Sequence, residues 1–378
     1  MIDSSPHSAP VDFDIFCRVI DNFGDIGVCW RLARQLASMA PVCRVRLWVD
    51  DLYSFAKIES GVDPRQSRQT IHGIELVHWT NSPPDLQPCQ VVVEAFACTP
   101  PPAFIARMNA GNSLWINLEY LSAEDWVESC HALPSLQASG LRKAFFFPGF
   151  TAGTGGLLRE AQLLDTRDRW LSQPVSRKDL LRSLHVPDSL IEGLLHGWRQ
   201  VYLFCYPNAP VAGLLESLGR DDNTSVILVP AGVCPSLKNQ LNPRVHVVEI
   251  PFVGQTDFDR LLWSSDLNFV RGEDSLVGAI WAGRPFIWPI YEPQAAIPLV
   301  ELQAWLARTP FQAGIHGLMN AWNTAREREF GARLDEALSP GEWPQWQAQA
   351  RLWTEKMARN NDLGSSLLAF CMKTLQTG

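Results

Sequence analysis

Short unbroken apolar runs alternate along the chain with stretches whose apolar positions recur every three to four residues. Phe13 to Ile20 reads as a buried strand, and Ile26 to Met39 as an amphipathic helix. Val45 to Val49, Ile74 to Trp79, Val91 to Phe96 and Leu114 to Leu118 continue the series as strands. Strands that are apolar throughout and separated by helices signify a parallel sheet covered on both faces. The rhythm breaks after Phe145-Phe146-Phe147, where a Gly-rich segment and then a polar run, Asp165 to Lys178, follow. It restarts with strands at Val201 to Cys205, Val226 to Val229, His246 to Ile250, Leu267 to Val270 and Pro285 to Trp288. Helices at Ala209 to Leu218, Asp257 to Trp263 and Leu276 to Ala282 lie among them, and the chain from Gln294 onward is largely helical.

Two such halves with a helical tail are the signature of the α/β GT-B architecture. In it, two Rossmann-like domains face a central cleft and C-terminal helices cross back to the N-terminal domain, the crossing being fold-level analogy. The expected division is a first domain over 1–165 with a last helix at about 358–378, a linker over 166–198, and a second domain over 199–357. Two domains also suit a length of 378 residues.

Composition narrows the function classes. A net charge of -8 argues against nucleic acid as the main partner, because such proteins neutralise phosphates with clustered Lys and Arg. The 9 cysteines contain no C-x-x-C pair, so neither a zinc nor a disulfide framework is expected, and the 8 histidines have no paired spacing for zinc. Met1 to Val11 has no basic start and no apolar stretch, and no run approaches the ~20 residues of a membrane span. The expectation is a cytoplasmic protein.

Candidate chemistry gathers on two loops at strand ends. Asp21-Asn22-Phe23-Gly24-Asp25 follows the first strand, where a dinucleotide fold would carry G-x-G-x-x-G. Carboxylates repel a pyrophosphate, so this loop should face a cation or take a proton. The plainer reading of Asp25 is a helix N-cap. Arg271-Gly272-Glu273-Asp274-Ser275 leads into a helix whose free N–H groups attract an anion, to which Arg271 adds bidentate contacts. Its plainer reading is a capped helix with a surface ion pair. Phe252, Gln255 and Phe258 can stack on a base and read its edge, or Phe258 can simply be helix core. Tyr206 is a candidate for ribose or phosphate contact, or an ordinary strand-end tyrosine. Asp12-Phe13-Asp14 spells a metal motif but lies at the start of its strand, the wrong end for catalysis. Gly153-Thr154-Gly155-Gly156 is either a turn or a contributor to the acceptor or sugar site.

The run from Asp21 to Ala33 resembles the opening motif of the bacterial elongation factor P arginine rhamnosyltransferases. Phe147-Pro148-Gly149-Phe150-Thr151 with Thr154 to Glu160, and Arg271 to Ser275, resemble two further blocks of that family. The resemblance implies an inverting GT-B enzyme with dTDP-β-L-rhamnose as donor, using no metal or other cofactor. Its acceptor would be one loop-tip arginine of elongation factor P, which when modified helps ribosomes stalled at proline runs. It implies Asp21, Asp25 and Glu273 as functional carboxylates. The substrate and nucleotide site would include Asn22, Phe23, Gly24, Tyr206, Phe252, Gln255, Phe258, Arg271, Asp274 and Ser275, with Tyr291 and Glu292 lining it. Two other readings stay open: a GT-B enzyme acting on another sugar or small molecule, and a catalytically silent GT-B-like binding protein.

Overall fold

The computed structural model describes residues 10–21, 23–109, 112–239, 242–290 and 297–377. They form two compact units. One holds the described residues of Met1–Ala161 and Asn360–Gly378, the other those of Gln162–Arg359.

Unit 1 runs β1 (Val11–Cys17), α1 (Gly24–Ala37), β2 (Val42–Val49), α2 (Leu52–Ile58), β3 (Arg68–Ile71), β4 (Ile74–His78), β5 (Val91–Ala95), α3 (Pro102–Ile105), β6 (Leu114–Leu118), α4 (Trp126–Cys130), β7 (Pro134–Leu136) and β8 (Arg142–Phe146). The sheet order is β3-β4-β2-β1-β5-β6-β8-β7. Counting only the parallel strands in chain order gives 3-2-1-4-5-6, the order of a dinucleotide-binding fold. Its topological switch point lies between β1 and β5. The two edge strands, β3 and β7, are antiparallel. This corrects the expectation of a purely parallel sheet. Both edges are short and half-exposed, so they carry no apolar run to announce them.

β1 is covered on both faces. Phe13, Ile15 and Cys17 pack in the larger core with Trp30 and Leu32 of α1, while Phe16 faces Trp48, Val92 and Phe104. Asp14 is fully buried on this second face. Arg46, its cross-strand neighbour, donates from Nε to Oδ1 at 2.5 Å and from Nη2 to Oδ2 at 2.8 Å. Trp48 Nε1 and the Cys89 N–H also donate to this carboxylate, at 2.8 and 2.7 Å. The D-x-D spelling is thus half of a buried ion pair, and its second carboxylate is engaged internally.

Unit 2 begins with α5 (Leu163–Leu171), α6 (Pro174–Ser183) and α7 (Asp188–Leu195). This corrects the expected linker over 166–198. Leu181, Leu184, Ile191 and Leu194 are buried, Arg167 Nη1 donates to the Trp281 carbonyl at 2.6 Å, and Trp170 packs edge-on to Trp263. The polar run is the solvent face of these helices. Then follow β9 (Arg199–Leu203), α8 (Val211–Arg220), β10 (Ser225–Pro230), β11 (Val245–Ile250), α9 (Gln255–Ser264), β12 (Leu267–Phe269), α10 (Gly272–Ala282) and β13 (Phe286–Ile287). Four more helices are α11 (Ile297–Arg308), α12 (Ala313–Asn323), α13 (Glu327–Ala337) and α14 (Trp343–Ala358). The order β11-β10-β9-β12-β13 is again 3-2-1-4-5 in chain order, with its switch point between β9 and β12.

The last helix, α15 (Leu363–Gln376), belongs to unit 1, where Leu363, Leu367, Leu368 and Cys371 enter the β1 core. Gln35 of α1 donates from Nε2 to Asp362 Oδ1 and to the Arg159 carbonyl, at 2.5 and 2.7 Å. The Gly-rich segment explains itself here. Gly156 has φ +80, and a Cβ on it would lie 2.1 Å from the Asn361 carbonyl oxygen, so glycine lets the chain before α15 pass. Among the described residues no helix is long and apolar enough to cross a membrane.

Candidate functional site

Each unit carries its candidate groups beyond the carboxyl ends of its strands, at its own switch point. In unit 1 the segment between β1 and α1 is organised by Asp25. This residue occupies the first turn of α1, and the N-cap position is Phe23, whose side chain makes no capping bond. Asp25 instead reaches backward, its Oδ2 accepting the Ile20 and Asp21 N–H groups at 2.8 and 2.9 Å. The simple N-cap reading is therefore replaced by a carboxylate that shapes the preceding loop. Asp25 is 4% exposed. Burial pushes its carboxyl above the ordinary aspartate value, with the N–H groups of Asp21 and Ile20 pulling the other way.

Asp21 is half-buried, and its carbonyl accepts the Gly24 N–H at 2.7 Å. A Cβ on Gly24 would lie 2.9 Å from Asp21 Oδ2, so glycine here admits a carboxylate against the backbone. The ring of Phe23 receives the Lys57 ammonium at 5.6 Å. Asn22 lies outside the described residues. Arg31 of α1 pairs with Glu160 at 3.2 Å, joining the first motif to the second.

In unit 2 the groups converge on β9, α9 and the start of α10. Tyr202, Phe204 and Tyr206 alternate along β9 and its extension. Phe204 meets Phe252 and Phe258 edge-on at 6.5 and 6.4 Å. Arg271, at the N-cap position of α10, lies over Phe204 at 4.3 Å and Tyr206 at 5.0 Å, and its Nη1 donates to the Cys205 carbonyl at 3.1 Å. This fixes the guanidinium plane with one of its five N–H groups. Glu273, Asp274 and Ser275 form the first helical turn rather than a loop before it, so α10 starts earlier than its apolar pattern suggests. They stand at a helix N-terminus, where the aligned backbone dipole favours an anion.

Gln255 is buried and donates from Nε2 to Asp274 Oδ2 at 3.2 Å, tying α9 to α10. Part of its amide thus holds a carboxylate beside the start of α10. Phe252 is 39% exposed, and Phe258 is packed against Tyr202 as well as Phe204. An open cavity of about 200 Å³ lies beside Tyr206, with Asn208, Ile290 and Trp322 among its walls. Tyr291 and Glu292 lie outside the described residues.

Phe204 was not among the sequence candidates, although three aromatics at alternate positions beyond a strand are a visible signal.

A family model described as elongation factor P (EF-P) rhamnosyltransferase EarP matches residues 13–372. The chain belongs to this family. A protein-arginine rhamnosyltransferase of Pseudomonas putida is 43% identical, over 96% of this chain and 99% of its own length. A solved structure that gives the basis for EarP-mediated arginine glycosylation of translation elongation factor EF-P is 31% identical. It has a TM-score of 0.65 and covers 96% of this chain and 99% of that one. The spinosyn rhamnosyltransferase SpnG, solved with thymidine diphosphate, shares the fold at TM-score 0.51 and 10% identity, over 95% and 99% of the two chains. The fold is GT-B, and the protein is a glycosyltransferase of the EarP family.

Proposed function

We propose that this enzyme transfers L-rhamnose from dTDP-β-L-rhamnose to an arginine side chain of elongation factor P, with inversion at the sugar, activating the factor for ribosomes stalled at polyproline. The observation that carries the reading is Asp25, a buried carboxylate at the switch point of unit 1, where a dinucleotide-binding fold keeps glycines for a pyrophosphate.

A guanidinium is planar and delocalised, with a pKa above about 12, and is a poor nucleophile until a base takes its proton. A carboxylate orients it by paired hydrogen bonds and accepts that proton as the C–N bond forms. Asp25 is assigned as the base, its raised pKa making it more basic than a solvated aspartate. Asp21 is assigned to the acceptor guanidinium and Glu273 to the rhamnose hydroxyls. On the donor side, the exposed Phe252, backed by Phe204, offers an aromatic face to the nucleobase. Arg271, Ser275 and the N–H groups of α10 meet the charge on the departing diphosphate, so the reading needs no metal ion.

Elongation factor P incubated with the enzyme and dTDP-β-L-rhamnose should gain one deoxyhexose by intact-mass analysis, and its Arg→Lys acceptor variant should gain none. An unchanged mass for the unsubstituted factor would reject the proposal. Modification of a small molecule instead would favour a different acceptor class.

Arg271→Lys tests the donor assignment. Lysine keeps the charge but loses the flat contact on Phe204 and Tyr206 and the bidentate fork. The donor Kd is expected to rise about tenfold, a loss of about 1.4 kcal/mol. Calorimetry with dTDP measures it, and unchanged affinity would remove Arg271 from the site.

A further inference from the structure

The edge strand β13 pairs with β12 over only two residues, and the ladder closes where the Val270 N–H donates to the Ile287 carbonyl at 3.0 Å. Beyond it the backbone of residues 288–290 leaves the ladder, and its polar groups need other partners. α12 supplies them. Asn323, the last residue of that helix, accepts the Ile290 N–H on Oδ1 at 2.8 Å and donates from Nδ2 to the Trp288 carbonyl at 3.1 Å. Nδ2 also donates to the Met319 carbonyl of its own helix at 2.9 Å, and Met319 Sδ accepts the Trp288 N–H at 3.5 Å. The buried Trp288 indole carries the connection onward, its Nε1 donating to the Gly272 carbonyl at 3.2 Å. Gly272 has φ +68, a left-handed turn that glycine admits between Arg271 and the first turn of α10.

This clamp borders the candidate donor groups. Pro289, Ile290 and Asn323 wall the same cavity as Tyr206 and Asn208, and Arg271 lies over the Tyr206 ring. Resting on the reading that unit 2 binds the donor diphosphate, we propose that Asn323, acting through Trp288, is a positioning residue that sets where Arg271 and the α10 N-terminus meet that diphosphate. One amide with three hydrogen bonds fixes a short strand end. The indole passes that fixed position to the turn that opens α10, so the anion-facing groups are held from behind by a connected polar network.

Asn323→Ala removes the three amide bonds, and Trp288→Phe keeps an aromatic ring but removes the indole N–H. In the full-length enzyme each should raise the dTDP Kd about tenfold by calorimetry and raise the donor KM in step, while the KM for elongation factor P stays unchanged. Because the two residues act in series, the double variant should bind dTDP little worse than the weaker-binding single variant. A purely structural role would lower the melting temperature and leave the Kd of the folded protein as it was. Wild-type dTDP affinity in either folded variant, or losses that add in the double variant, would therefore overturn this inference alone. Should Asn323→Ala not fold, the Kd of Trp288→Phe decides. Unsubstituted enzyme that fails to bind dTDP would overturn the donor-site reading and this inference with it.

Discussion

Asp25→Asn should lose roughly 10²–10⁴-fold in kcat while its melting temperature at neutral pH stays the same or rises. The two effects come from one property. Burial raises the Asp25 carboxyl above its value in an unfolded chain. Below the unfolded value both states hold the proton, and the contribution to stability is fully present. As pH rises through the raised folded value, the folded state must carry a buried charge, and that contribution is lost. At neutral pH the native aspartate is therefore a cost to the fold. Asparagine removes the charge yet still offers a carbonyl oxygen to the Ile20 and Asp21 N–H groups, so the loop keeps its shape. It cannot take a proton from a guanidinium. Single-turnover rates, melting temperatures at neutral and acid pH, and dTDP titration check the three parts together. The stability difference should shrink as the pH falls toward the ordinary aspartate value. For the unsubstituted enzyme, the acid limb of kcat/KM should lie above the ~3.9 of a free aspartate. A variant that is inactive because it is unfolded would melt lower, and a variant that retains activity would dismiss Asp25 as the base.

Asp14→Ala should destabilise unit 1 by about 3–5 kcal/mol with little effect on the rate per folded molecule. Asp14 and Arg46 are both almost completely buried, and the carboxylate also takes the Trp48 indole and the Cys89 N–H. Truncation strands the Arg46 charge and these two donors in a low-dielectric core. Replacing Asp14 and Arg46 together with apolar residues should recover only part of the loss, since Trp48, Cys89 and the Gln87 carbonyl, which accepts from Arg46, would remain without their partners. Urea unfolding followed by tryptophan fluorescence measures both variants. A loss below about 1 kcal/mol is what an exposed ion pair gives, and would show that the network contributes little.

Asp14 and Asp25 show what could and could not be read from the chain. Asp14 lies within β1 and Asp25 in the first turn of the helix that follows it, and the spacing of Asp12 and Asp14 even spells a metal motif. The sequence placed Asp14 at the non-catalytic end, since ligands gather beyond the carboxyl ends of parallel strands. It could not supply Arg46, which lies 32 residues away and meets Asp14 only through the β1–β2 register. The Asp21–Asp25 loop was legible because two carboxylates stand where glycines belong. That Asp25 binds the loop backward rather than capping the helix was not, because the choice depends on where α1 begins.

The alternation of apolar runs and amphipathic stretches determined the two Rossmann-like halves, since residues buried on both faces of a strand must be apolar nearly throughout. It also put Arg271 to Ser275 at a strand end. It missed β3, β7 and the helices α5 to α7, whose exposed faces hide their few buried positions among polar residues. Periodicity reports whether a side chain is covered, one element at a time, whereas the strand order, 3-2-1-4-5-6 in unit 1, decides which loops become neighbours. Only that order sets the carboxyl ends of β5 and β6 on the same edge of the sheet as the loop that follows β1, because parallel neighbours end on one side.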